Sequence, residues 1–226
     1  MASKYNYSFF RVSKTEGAET SAQRCRELRL KALKASPDSF SSTYEIESAF
    51  TDAHWIERLL APDRELFVCA ATPLGDDPSR PNDIQWIGQV TMRGPLSKAQ
   101  FELPVESEQP PQKSDEEEDR WQMLSLFTLP EYRGHGLGNK LCKEAINYLL
   151  SSRVFPRELQ VRLIIKAGNQ VAVEFYQRLG FVFGGRATLV EALISNGDEH
   201  LVPKDLTPAK YSERQGIIMI SRVSRS

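Results

Sequence analysis

Hydrophobic and polar positions divide the chain into short strands and amphipathic helices. Residues 5–12 (YNYSFFRV) read as a first strand, bounded by the polar run 13–17. Over 19–35, Cys25, Leu28, Ala32 and Leu33 form a narrow apolar stripe of helical spacing. Pro37 ends that helix, because a residue before proline avoids helical geometry. Thr51 is placed to cap a helix over 52–60 that buries Trp55, Ile56 and Leu59. A short apolar strand at 65–71 breaks at the turn-forming segment 72–78, and the next strand, 84–93, pairs antiparallel with it. Residues 121–129 are almost continuously apolar, as in a strand covered on both faces. Residues 137–150 carry Leu137, Leu141, Ala145 and Leu149 one turn apart. Residues 159–166 alternate, with Leu159, Val161, Leu163 and Ile165 on one face and Gln160, Arg162 and Lys166 on the other. Ala172, Phe175, Tyr176 and Leu179 return to helical spacing, followed by strands at 181–186 and 216–223. This order predicts an α+β fold built on one sheet of mixed direction.

Two segments stand outside the pattern. Residues 97–120 hold eight acidic groups against three basic ones, with three prolines and few large apolar side chains. They read as a mobile, solvated insertion between two strands, or as an acidic lip that attracts a cationic amine. Residues 187–214 form a long excursion between the last two strands. At 226 residues and 40% hydrophobic, the chain supports one sizeable core rather than two. A formal net charge of −1 gives no electrostatic case for nucleic acid or an anionic membrane. Cys25, Cys69 and Cys142 lie far apart without metal-ligand spacing, which suggests free thiols and no metal. The N-terminus has no secretory pattern and no apolar run approaches a membrane span, so the expected location is cytoplasmic or nuclear.

The chemistry concentrates at Arg133-Gly134-His135-Gly136-Leu137-Gly138, between an apolar strand and an amphipathic helix. Closely spaced glycines let the backbone turn sharply and approach a ligand. A helix that opens there directs unpaired N–H groups and its positive dipole end at an anion, most often a phosphate. The spacing excludes a nucleotide-triphosphate loop, because Asn139 and Lys140 follow Gly138 with no Ser or Thr next. It also departs from G-x-G-x-x-G, since Gly134, Gly136 and Gly138 are evenly spaced.

A second pattern follows in N-x-x-A-x-x-x-Y-x-x-x-G-F, formed by Asn169, Ala172, Tyr176, Gly180 and Phe181. Asn169 suits an N-cap and Gly180 the residue just past the helix end. With R-x-x-G-x-G upstream, the sequence resembles the GCN5-related N-acetyltransferase (GNAT) superfamily, with specific motifs over roughly 121–183. The resemblance implies one domain over 1–226, with helices on both faces of a mostly antiparallel sheet of about seven strands. It implies acetyl-CoA as co-substrate, its pyrophosphate held by the backbone of His135, Gly136, Leu137, Gly138 and Asn139, with Gly134 completing the turn and Arg133 near the charge. The pantetheine arm would pair with Leu126, Phe127, Thr128 and Leu129, and Asn169 and Tyr176 would complete the site.

Acetyl transfer by direct attack in a ternary complex needs a neutral amine and a proton for the departing thiolate. Tyr176 is the candidate donor, since a phenol with a reference pKa near ~10 stays protonated at neutral pH. Residues 121–129 contain no Asp, Glu or His, so the base is sought in Glu45 and Glu47, on a segment that borders the acceptor site in the family. Partners are then acetyl-CoA and an amine acceptor, a small cationic amine or a peptide, bound by a monomer or homodimer. A catalytically silent acetyl-CoA-binding module, sensing the molecule or docking a partner, is the alternative.

Overall fold

The computed structural model describes residues 4–74 and 84–225. The turn expected at 72–78 lies outside the described residues beyond Leu74. Seven strands form one sheet: β1 (Tyr5–Arg11), β2 (Arg64–Pro73), β3 (Gln85–Leu96), β4 (Glu118–Thr128), β5 (Glu158–Ile165), β6 (Val182–Ala187) and β7 (Gly216–Ser224). Their spatial order is β1-β2-β3-β4-β5-β7-β6, and only β4 and β5 run parallel. The main helices are α1 (Ala18–Ala35), α2 (Tyr44–Ser48), α3 (Asp52–Leu60), α4 (Lys98–Phe101), α5 (Leu137–Ser152), α6 (Gln170–Arg178), α7 (Leu189–Ser195) and α8 (Ala209–Ser212). The expected mixed, mostly antiparallel sheet with covering helices is therefore the fold.

Helices cover β2 to β4 on both faces, which accounts for their near-continuous burial. Phe67 of β2 meets Tyr148 of α5 edge to face at 5.4 Å, and Met123 of β4 lies 4.0 Å from the Cys142 sulfur of the same helix. From the other side, Cys25 of α1 reaches Gln89 of β3 at 4.0 Å. Thr51 caps α3 as expected, its hydroxyl accepting from His54 N–H.

Two expectations change. Strand β4 begins at Glu118, not residue 121, because buried Glu118 and Asp119 have cationic partners that permit the sheet to continue. Glu118 faces Arg120 at 3.3 Å and Arg222 at 3.2 Å, while Asp119 faces Arg225 at 2.6 Å and Arg153 at 3.1 Å. The acidic segment 97–120 is also not solvated along its length. Phe101 and Ser107 have no exposed surface, and α4 starts in a reciprocal capping box between Ser97 and Gln100.

That segment covers the polar face of β5. Gln160 and Arg162 are fully buried. Gln160 donates to Gln112 at 2.8 Å, and Arg162 donates to the Phe101 carbonyl at 2.5 Å while its guanidinium lies 3.9 Å from the centre of the Phe101 ring. Arg162 also donates to Gln122 and Ser195, so its donors meet neutral acceptors. Burial, with Arg93 nearby, lowers its pKa to about 9.

Candidate functional site

The site arises where the sheet opens. Parallel pairing of β4 with β5 runs from Glu118 opposite Glu158 to Gln122 opposite Arg162, although both strands continue. Beyond that point they diverge, and Met123 to Thr128 face Leu163 to Lys166 across a cleft of ≈ 610 Å³. Unpaired backbone at the end of β4 can therefore receive an extended chain as an additional strand.

A bulge shapes the β4 side of the cleft. Gln89 pairs with Phe127 and Thr91 with Leu124, so β4 carries one extra residue. Ser125 occupies this bulge with φ 59°, a left-handed conformation that disfavours residues other than glycine. The kink turns the Ser125 hydroxyl towards α1, where it accepts from Arg29 Nη1 at 3.3 Å.

The glycine turn closes one end of the cleft. Gly134 and Gly136 have φ of 81° and 71°, and a Cβ at either position would meet nothing within 4 Å. The cradle is therefore open on the ligand side. Lys140 N–H donates to Gly136 O at 3.1 Å, so the amides of Leu137, Gly138 and Asn139 precede the first helical bond of α5. This 16-residue helix thus presents its positive end to the cleft. A diphosphate fits that chemistry. Arg133 folds back along the rim, donating to Thr128 O at 3.0 Å with its guanidinium 5.4 Å from the Phe127 ring centre.

Helix α6 forms the facing wall. Asn169 is its N-cap, with the carboxamide oxygen accepting from Ala172 N–H at 3.1 Å. At the other end, Phe181 N–H bonds to Tyr176 O and Gly180 N–H to Gln177 O, with Gly180 at φ 87°. This is the paired hydrogen-bond pattern of a helix closed by a left-handed residue, and its apolar contact joins Phe181 to Tyr176, ring centres 5.5 Å apart. The Gly180-Phe181 step therefore fixes the Tyr176 ring. Burial, with the Cys142 thiol nearby, pushes the Tyr176 phenol well above its ordinary pKa, so it remains protonated.

Of the residues read from the sequence, Leu126, Phe127, Thr128, Arg133 and Gly134 line the cleft, as do Gly136, Leu137, Gly138, Asn139, Asn169 and Tyr176. Leu129 is buried and His135 is exposed; neither is on its lining. Glu45 and Glu47 line neither the cleft nor the cavity that continues from it. Glu45 is exposed at the start of α2, where its own N–H and the Thr43 hydroxyl hold its pKa down. Glu47 is fully buried and receives Arg29 through two bonds, 2.9 and 2.6 Å. Burial acts to raise its pKa, but the Arg29 hydrogen bonds and charge prevail and hold it below the ordinary value. Such a carboxylate is a poor proton acceptor, so the expectation of a base at Glu47 gives way to a structural ion pair.

Sequence reasoning missed most of the far side of the gap between β4 and β5. A second cavity of ≈ 380 Å³ shares Phe40, Ser125, Ile165 and Lys166 with the cleft and extends to Asp198, Lys210 and Glu213. The two cavities together pass through the gap between β4 and β5. No residue of 97–120 lines either one, so the acidic-lip reading is not supported. The 187–214 excursion supplies Thr188, Asp198 and Glu213 of this second wall, and the segment leading to Glu45 and Glu47 supplies Phe40 and Ser41.

The sheet is splayed between its parallel strands, with the glycine turn and the start of α5 at one mouth of the gap. Residues 102–181 match the model of the acetyltransferase (GNAT) family. No curated protein matches the chain by sequence. Among solved structures, it is similar to Arabidopsis thaliana NAA60 in complex with a bisubstrate analogue, at 18% identity and TM-score 0.57, covering 97% of this chain and 100% of that one. It is also similar to a GNAT-family acetyltransferase from Streptococcus pneumoniae, at 15% identity and TM-score 0.56, covering 96% and 100%. The spermidine N-acetyltransferase of Vibrio cholerae, in complex with CoA and spermine, shares 11% identity and TM-score 0.54, covering 97% and 95%. At these identities the likeness is one of fold.

Proposed function

We propose that this chain, as one domain, is an acetyl-CoA-dependent N-acetyltransferase in which a primary amine attacks the thioester directly within a ternary complex. The observation that carries this reading is the continuous passage between β4 and β5, with an anion-binding turn at one mouth and a separate cavity at the other. The donor enters past Gly134 to Asn139 and the amine from the side of Asp198 and Glu213. Acetyl-CoA supplies the activated acyl group. Backbone amides at the start of α5 bind its diphosphate, and the end of β4 orients the pantetheine arm. Asn169 stabilises the facing helix end, and Tyr176 donates its proton to the departing sulfur.

Since Glu45 and Glu47 do not reach the passage, we assign amine deprotonation to Glu213, an exposed carboxylate on the acceptor-side wall that accepts from Gln215 at 2.8 Å. Glu213→Gln is expected to lower kcat/KM by about 10²-fold with acetyl-CoA affinity unchanged. Wild-type kcat/KM would assign the proton to solvent instead. Tyr176→Phe is expected to reduce kcat by about 10²-fold while acetyl-CoA binding changes little. Unchanged turnover, measured by thiol release, would return Tyr176 to a packing role.

A further inference from the structure

A third cavity, absorbed by neither the donor nor the acceptor route, lies between α1, α3 and the sheet. It measures ≈ 40 Å³, and its walls include Arg29, Arg58, Arg64, Trp55, Gln89 and Ser125. By this measure a water needs at least about 10–15 Å³, so the space suits one small ion rather than a side chain.

The charges around it do not balance. Arg29 is bonded to Glu47, Arg58 lies 3.9 Å from Glu47 and 3.7 Å from Asp198, and Arg64 lies 3.5 Å from Asp198. Among the described residues, three guanidiniums thus share two carboxylates. Neighbouring Arg93 and Asp63 pair with each other at 2.9 Å and leave the imbalance unchanged. The Cys25 thiol on the same wall adds no negative charge, because burial raises its pKa to about 11.

Two donors of the lining residues also lack an acceptor. Trp55 is 3% exposed and among the described residues its Nε1 has no hydrogen-bond partner, and Arg64 Nη1 is likewise buried without one. Buried N–H groups without acceptors are costly, and a positive site even more so. One anion would supply both the missing acceptor and the missing charge. Arg29 and Ser125 line this cavity and the acceptor-side cavity alike, so the two adjoin.

We infer that this cavity binds one small monovalent anion of carboxylate or halide size, held by Arg29, Arg58, Arg64 and the Trp55 indole N–H. The ion is either free in solution or the carboxylate of a bound acceptor. The second source rests on the acetyltransferase reading; the site itself does not.

The probe is sodium formate, compared with sodium gluconate at equal ionic strength, since gluconate is too large for the cavity. Formate is expected to raise the thermal unfolding midpoint saturably, and gluconate is not. Arg58→Gln removes the excess charge at a residue whose ion pairs are long, and should weaken formate binding at least tenfold. Trp55→Phe keeps an aromatic ring at the wall, a smaller one, and removes one donor, and should weaken it about threefold; it decides the matter if Arg58→Gln does not fold. Equal midpoints in formate and gluconate, or a wild-type formate response in Trp55→Phe and in any folded Arg58→Gln, would overturn the site. With the site established, formate competing with carboxylate-bearing amines but not with their amides identifies the acceptor as the source. Formate that binds without such competition identifies a free ion.

Discussion

Gly136→Asp is expected to abolish acetyl-CoA binding while leaving the protein folded. Gly136 adopts φ 71° at the N-cap of α5, and an added Cβ meets nothing within 4 Å. Asp tolerates left-handed backbone better than most residues, at a cost of about 1 kcal/mol, and its charge suits a helix N-terminus. Stability should therefore change little. The carboxylate, however, would stand in the anion cradle and repel a diphosphate. Titration calorimetry should detect no acetyl-CoA binding at concentrations that saturate the wild type. Gly136→Asn, of similar shape without the charge, should retain part of the affinity. Wild-type affinity in Gly136→Asp would remove the glycine turn from the donor site.

The largest stability effect is expected from Glu47→Gln. Glu47 is buried between Arg29 and Arg58, and neutralising it leaves Arg29, itself 5% exposed, without its main counter-charge. Breaking a buried pair from one side costs about 3–5 kcal/mol, which for a chain of this size lowers Tm by on the order of 10 °C. The pH dependence has a definite sign. The folded pKa of Glu47 lies below its ordinary value, so the pair stabilises the fold above the ordinary carboxylate range. That contribution is lost as pH falls through the folded pKa. The difference in stability between wild type and Glu47→Gln should be full at pH 7 and shrink as the pH drops below about 4. Denaturant unfolding at several pH values measures it, and a constant difference would mean that packing, not charge, holds Glu47. Activity should fall in parallel, because Arg29 also fixes the bulged Ser125.

The glycine-turn side of the cleft was legible because its determinants are local. A glycine turn, a helix start and an N-x-x-A-x-x-x-Y-x-x-x-G-F helix each depend on neighbours a few residues away, and the structure brings most of them to one cleft. The second cavity was not legible, because it is assembled from α1, β4, β5 and the 187–214 segment, which no spacing rule connects. Ser125 illustrates the limit. Its bulge follows from the mismatch in pairing between β3 and β4, and nothing in its sequence neighbourhood demands a left-handed residue.

Charge was misread for the same reason. Glu47, Glu118 and Asp119 resemble solvated or catalytic carboxylates in sequence, yet each is buried against arginines distant in the chain. The polar residues of β5 belong under a cover supplied by 97–120, whose acidic composition concealed Phe101 and its packing role.

The most direct test of the central claim is release of free coenzyme A thiol from acetyl-CoA, followed against pooled amines, amino acids and peptides. The predicted result is release that depends on an added amine pool, is strongly reduced in Tyr176→Phe and is absent in Gly136→Asp. No release with any pool, together with no rise in melting temperature on adding acetyl-CoA, would contradict the account.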